Sequence, residues 1–372
     1  MSAGVYLHIP FCKSRCSYCD FATDVFRDSG AVDRYVDALV KEIGSFGQAG
    51  IAADTVYFGG GTPSLLSSAQ VGRILDSVRE RFVLSTCPEI TLEMNPATVT
   101  AQSLTGYLAA GVNRASFGVQ TFDDTDLKLL ARGHDVNDAR DTFRMLRDAG
   151  FQNISFDLIA GLPGQSLARW SRNLDEAIAL SPEHLSLYIL EVHSGTPLAE
   201  QIRSGRRPAP VDELAAEMYE VMIDSLASAR YEQYEISNFA RAGFHSRHNN
   251  KYWRLEPVYG FGVSAHSFDG SERYANERDT ARYVELVENG RSTEVMREVI
   301  DAASESVFLG LRLEEGIDLT EHHAAFGVDL RSTHRRELDE LGEQGLIEID
   351  DDRMRLTSRG KLFSNEVFAV FV

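Results

Sequence analysis

The chain has 372 residues, 43% apolar and 9% aromatic, enough to enclose one large core and an appended smaller domain. Its 56 acidic residues against 37 basic ones leave a net charge of -19, the wrong sign for a general nucleic-acid binder. No apolar run approaches the ~18 residues that span a bilayer. The opening Met1-Ser2-Ala3-Gly4 has neither the charged nor the apolar region of a signal peptide, so a cytoplasmic protein without a transmembrane segment is expected.

The first element is the apolar run from Val5 to Ile9, stopped by Pro10, which predicts a buried strand with a loop at its C-terminal end. That loop holds three of the four cysteines, Cys12, Cys16 and Cys19. Apolar positions Val32, Tyr35, Val36, Leu39, Val40 and Ile43 then trace one helical face over 32–46. A strand over 55–58 stops at Gly59-Gly60-Gly61, and Ser67 or Ser68 can cap a helix to about 81. The same alternation recurs: strands over 89–93, 114–119, 154–159 and 184–190, with helices after Thr100, within 123–149 and near 167–180.

Alternating strands and helices imply right-handed crossovers and a parallel sheet. Six such units are too few for the eight of a closed barrel, so the expected fold is α/β, an incomplete (β/α)6 barrel over 1–230 with ligand loops at the C-terminal strand ends. The stretch 231–295 is irregular and aromatic-rich. The region 296–372 suggests a winged-helix-like α+β domain: a helix over 332–343, Gly345 as its stop, strands over 346–349 and 353–356, and a last helix opened by Thr357. Three aspartates at the wing tip, Asp350 to Asp352, argue against DNA and for packing on the barrel or a partner.

Three thiolates spaced C-x3-C-x2-C can wrap one small inorganic centre, either tetrahedral zinc or an iron-sulfur cluster. Zinc wants a fourth ligand, for which His8 is the nearby candidate, although a histidine inside a strand is more often a satisfied pocket residue. Cys87, far along the chain before Pro88, reads as a thiol without a role. Three ligands on a four-iron cube leave one iron open, as a catalytic centre requires.

C-x3-C-x2-C with Tyr18 before its last cysteine resembles the radical-SAM superfamily. The resemblance continues through Gly59-Gly60-Gly61-Thr62-Pro63, Glu93-Met94-Asn95-Pro96, Gly118-Val119-Gln120, Arg132-Gly133-His134 and Asp157 to Pro163, at successive strand ends. It implies that Cys12, Cys16 and Cys19 hold a [4Fe-4S] cluster whose open iron takes the amine and carboxylate of S-adenosyl-L-methionine. By similarity Glu93, Gln120, Arg132 and Asp157 line the nucleoside and methionyl parts. Gly60, Gly61 and Thr62 let backbone approach the cofactor, and Tyr6 and Tyr18 pack near it. An aspartate in an apolar strand, like Asp157, also needs partners on physical grounds.

Within the superfamily, Tyr6-Leu7-His8-Ile9-Pro10-Phe11-Cys12 and Gly59 to Ser64 are similar to oxygen-independent coproporphyrinogen III oxidases of porphyrin biosynthesis and their relatives, the HemW-type heme chaperones. Those oxidases carry a further cysteine in the cluster loop and a sizeable segment before the first strand. Here Asp20-Phe21 follow Cys19, and only Met1 to Gly4 precede the strand. His248-Asn249-Asn250-Lys251-Tyr252-Trp253 matches the chaperones' H-N-x-x-Y-W signature. The resemblance thus implies a protein that binds a [4Fe-4S] cluster, S-adenosyl-L-methionine and heme and passes heme to acceptor hemoproteins. It makes His248 the heme contact, with His245 and His266 as weaker candidates. It leaves room for an electron donor, an oligomer and radical cleavage of the cofactor. The alternatives are coproporphyrinogen III oxidation by a 5′-deoxyadenosyl radical and radical chemistry on an unrelated substrate.

Overall fold

The computed structural model describes residues 2–25 and 28–372; Met1, with which the expected leaderless start begins, lies outside them. Six parallel strands run in sequence order across one sheet, β1 (Ala3–Ile9), β2 (Ile51–Gly60), β3 (Phe82–Met94), β4 (Arg114–Gln120), β5 (Ile154–Ala160) and β6 (His184–Ile189). Helices α1 (Ser29–Ser45), α2 (Ser68–Arg81), α3 (Ala101–Ala110), α4 (Asp124–Leu129), α5 (Val136–Ala149) and α6 (Leu167–Leu180) alternate with them. The expected open, six-stranded partial barrel is therefore present. Among the described residues no helix is long and apolar enough to cross a membrane.

Local sequence explains the helix limits. Ser67 with Gln70, Thr100 with Ser103 and Asp135 with Asp138 each form a reciprocal box that satisfies the first amides of α2, α3 and α5. Gly111 and Gly150, at φ +111° and +107°, end α3 and α5 in a conformation that side chains resist.

Alternation along the strands sorts side chains between two faces. Val5, Leu7, Ile9, Val56, Phe58, Leu92, Phe117, Phe156 and Leu185 are buried in the helix-covered core. The opposite face, turned to the barrel lumen, carries Tyr6 and His8, Thr55 and Tyr57, Thr91 and Glu93, Arg114 and Ser116, Ser155 and Asp157, His184 and Ser186. Register sets them side by side: Tyr6 pairs with Tyr57, and Asp157 lies between Gly118 and Ser186. The hydrophobic effect holds the outer layer, so polar groups are free to line the lumen.

The region 231–295 is more regular than its sequence pattern suggests, because its short strands join opposite edges of the barrel sheet. Glu232–Gln233 and Asn238–Ala240 continue the sheet beyond β6, while Val258–Phe261 runs parallel to β1 and leads into antiparallel His266–Phe268, Glu272–Asn276 and Glu294–Val299. Strands of two to six residues separated by glycines leave no legible period. Half-buried Glu42 ties this extension to α1, accepting from Gly262 N, Asn276 Nδ2, Tyr283 OH and Thr293 Oγ1 at 2.8, 2.7, 2.7 and 3.0 Å.

The C-terminal region has its own core, including Val307, Leu311, Met354, Val367 and Phe371. Its three-stranded sheet places Arg353–Leu356 between Ile317–Asp318 and Ile347–Asp350. The helix expected over 332–343 is two helices, Leu330–Thr333 and Arg335–Glu343, breaking at His334. Arg312 joins this region to the extension, stacking 4.3 Å over Trp253 and reaching buried Glu235 at 3.3 Å.

Candidate cofactor site in the barrel

The cysteine loop is anchored at both ends. Phe11–Cys12 pairs with Asp24–Val25, Asp24 N donates to Pro10 O at 2.8 Å, and His8 Nε2 bonds Ala22 O at 2.9 Å. In mid-loop, buried Ser17 donates its amide to Leu130 O and its hydroxyl to Leu129 O, at 2.9 and 3.0 Å. His8 has Tyr6 OH on its other nitrogen at 3.1 Å. It supports the loop and its imidazole is already occupied, as the strand position suggested.

Cys12, Cys16 and Cys19 are free, partly buried thiols. Burial raises the Cys12 and Cys19 pKa values, and mutual repulsion within the trio raises them further. Among the described residues no three His, Cys, Asp or Glu side chains close on one point as a single metal ion requires. Cys87 is exposed on β3.

One chain of polar contacts links four motifs around the thiols. Thr62 Oγ1 donates to Cys12 Sγ at 3.5 Å and accepts from Asn95 Nδ2 at 2.7 Å. Arg132 donates to Asn95 Oδ1 and Gly118 O, each at 2.6 Å, and to Cys16 Sγ at 3.4 Å. Arg132 also acts on the buried Tyr18 hydroxyl. A small opening beside this chain is lined by Lys13, Cys16, Thr62, Asn95, Arg132 and His134. Burial lowers the His134 pKa to about 4, and the Arg132 charge adds to that.

The glycine run lets two loops touch. A Cβ on Gly60, at φ +109°, would lie 2.7 Å from the His8 ring, and one on Gly61 would lie 2.7 Å from Pro10 O. Protein already fills both spaces. Beneath them Glu93 accepts from Tyr57 OH at 2.7 Å and Gly60 N at 3.2 Å. Burial lifts its pKa to about 7, with the Asp157 charge adding to the rise against the Tyr57 bond. Burial likewise lifts Asp157 to about 6, against the pull of the Arg114 charge and a Ser186 hydrogen bond. Gln120 is buried at φ +68°, folded back over Gly118. Tyr6, Glu93, Gln120, Arg132, Asp157 and the thiols thus share one end of the barrel.

Helix α7 (Pro197–Arg203) packs under the cysteine loop, Leu198 N donating to Ser17 O at 2.8 Å. After α8 (Asp212–Ser228), the H-N-x-x-Y-W motif forms the short helix α9 (Arg247–Trp253), whose first amides donate to Glu89 at 3.1 and 3.0 Å. This holds His248 against the lumen tyrosines, 5.0 Å between centroids from Tyr57 and 6.4 Å from Tyr6, both near-parallel. His248 Nδ1 bonds Thr55 Oγ1 at 2.8 Å and Nε2 bonds Tyr252 OH at 3.1 Å. Burial lowers its pKa to about 3, helped by the Lys251 and Arg114 charges. His245 is elsewhere, stacked 4.3 Å from Tyr234 in a cleft of about 490 Å³ facing the C-terminal region. His266 is exposed on its strand.

Sequence reasoning missed Tyr57, Thr55 and Arg114. The alternation of polar residues along otherwise apolar strands is the signal that marks them.

The strand-end loops and the three-thiol loop define a radical SAM protein. The Radical SAM superfamily profile matches residues 6–177, and that of the HemN C-terminal domain matches 298–363. The chain is 38% identical to the heme chaperone HemW of Bacillus subtilis over 99% of each protein. It is 35% identical to that of Escherichia coli over 99% of this chain and 98% of the relative. Its structure aligns with coproporphyrinogen III oxidase (HemN) from Escherichia coli, a radical SAM enzyme, at TM-score 0.86 and 25% identity, over 100% of this chain and 90% of that one. The chain belongs to the HemW family.

Proposed function

We propose that this protein is a heme chaperone: it holds a [4Fe-4S] cluster on Cys12, Cys16 and Cys19, binds S-adenosyl-L-methionine beside it, binds heme deeper in the lumen, and hands heme to acceptor hemoproteins. The observation that carries this reading is the position of His248. The family's signature helix brings a neutral imidazole into a column of tyrosine rings below the thiol loop. Iron binds neutral imidazole, and a flat aromatic face suits a macrocycle. Ligation through Nε2 requires the Tyr252 hydroxyl to give way, a modest demand because Tyr252 is 38% exposed.

Around S-adenosyl-L-methionine, Arg132 suits the carboxylate, while Glu93 and Asp157 suit the amine and ribose hydroxyls. Gln120, Tyr6, Tyr18 and the Gly60-Gly61-Thr62 turn complete the walls. When bound and reduced by an electron donor, the cluster supplies one-electron chemistry on the sulfonium. Kinship with relatives named heme chaperones supports transfer as the task, with cytoplasmic residence the natural setting.

The likeness to the HemN oxidase favours one rival, oxidative decarboxylation of coproporphyrinogen III. Anaerobic protein supplied with coproporphyrinogen III, reductant and S-adenosyl-L-methionine should leave the substrate unchanged, whereas heme-loaded protein should convert an apo-hemoprotein to its holo spectrum. Formation of protoporphyrinogen IX would overturn the chaperone reading.

A further inference from the structure

Arg114 opens β4 on its lumen face and is only 2% exposed. A guanidinium so deeply buried ordinarily faces a bonded carboxylate, because burying an unpaired charge is costly. Here Nε has no hydrogen-bond partner. Its charge is nevertheless felt on every side: by Glu93, Asp157, Tyr57, His184, Tyr234 and His248.

Arg114 lies level with Tyr6 and Tyr57, below the contact of Arg132 with Gly118. Arg114 precedes Gly118 by four residues, about 13 Å at ~3.3 Å per residue. It sits opposite Thr91, which lies beside Tyr57. Tyr252, which bonds His248 Nε2, is 38% exposed. An anion completing Arg114 would therefore lie among the rings that stack on His248.

We propose that Arg114 anchors a propionate carboxylate of the porphyrin whose iron faces His248, so that the site recognises the free acid rather than the macrocycle alone. This rests on the heme reading above. A carboxylate offers two acceptors to the guanidinium fork, and the pair is strengthened where water is scarce.

The test compares the affinity of the full-length protein for heme and for heme dimethyl ester, with circular dichroism and iron-sulfur absorbance as controls for folding. Wild type should prefer the free acid by on the order of tenfold, the effect of one charge-assisted hydrogen bond. Arg114→Gln should bring the two affinities together at unchanged iron-sulfur absorbance. Arg114→Lys, which keeps the charge without the fork, should retain a reduced preference and serves if the glutamine variant does not fold. Heme binding by wild type without preference for the acid overturns the proposal alone, as does undiminished preference in the variants. Absence of heme binding by wild type overturns the underlying reading as well.

Discussion

Glu93→Gln isolates the electrostatic stress stored at the cofactor end of the lumen. Glu93 is held near pKa 7 against an ordinary 4.5. The folded protein keeps the proton over a range in which the unfolded chain has released it, so stability falls as pH rises through 4.5 to 7 and levels off above. The full difference corresponds to about 3 kcal/mol, somewhat less where lumen water screens the carboxylate. Glutamine retains one acceptor for Tyr57 OH but presents an amide toward Gly60 N, a loss of about 1 kcal/mol. The variant should accordingly be slightly less stable than wild type near pH 4.5 and more stable by about 2 kcal/mol at pH 8. Urea unfolding followed by circular dichroism at stepped pH reads this directly. A stability difference that stays flat between pH 4.5 and 8 refutes the reasoning.

Other consequences are as direct. Serine at Cys12, Cys16 and Cys19 together should abolish iron-sulfur absorbance after anaerobic reconstitution, whereas Cys87→Ser should leave it intact; a cluster retained in the triple variant contradicts the ligand assignment. Gly61→Ala puts a methyl group 2.7 Å from Pro10 O, so it should cost about 1–3 kcal/mol and lower iron content; unchanged iron content and urea midpoint count against the close-packing account. Glu42→Ala strands the four donors that meet at its carboxylate, and the melting temperature should fall by the equivalent of about 3–5 kcal/mol. A wild-type melting temperature there removes Glu42 as the tie between α1 and the extension.

Much of this was legible in advance because repeating βα units and strand-end motifs are local patterns. The strand at Ile154–Ala160 and the cap at Ser67 follow from neighbours within a few residues. What escaped depends on distant partners. β3 begins at Phe82 rather than near 89 because its first residues pair with Ile51 to Ala53, and the strand runs through Cys87-Pro88. The extension's strands exist only where both sheet edges accept them. The glycines at 60 and 61 were read as room for cofactor, yet His8 and Pro10 take that space, since sequence shows that a side chain is missing and not what fills the gap. Arg114 opens a strand that the sequence marks, but the burial of its guanidinium is visible only in three dimensions.

The most direct test of the account is an anaerobic optical titration of the reconstituted protein with heme, run beside His248→Ala. The account predicts saturable binding of one heme per chain with a shifted Soret band, and weakened binding in the variant at unchanged iron-sulfur absorbance. Equal titrations of the two proteins, or no saturable binding by either, would contradict it.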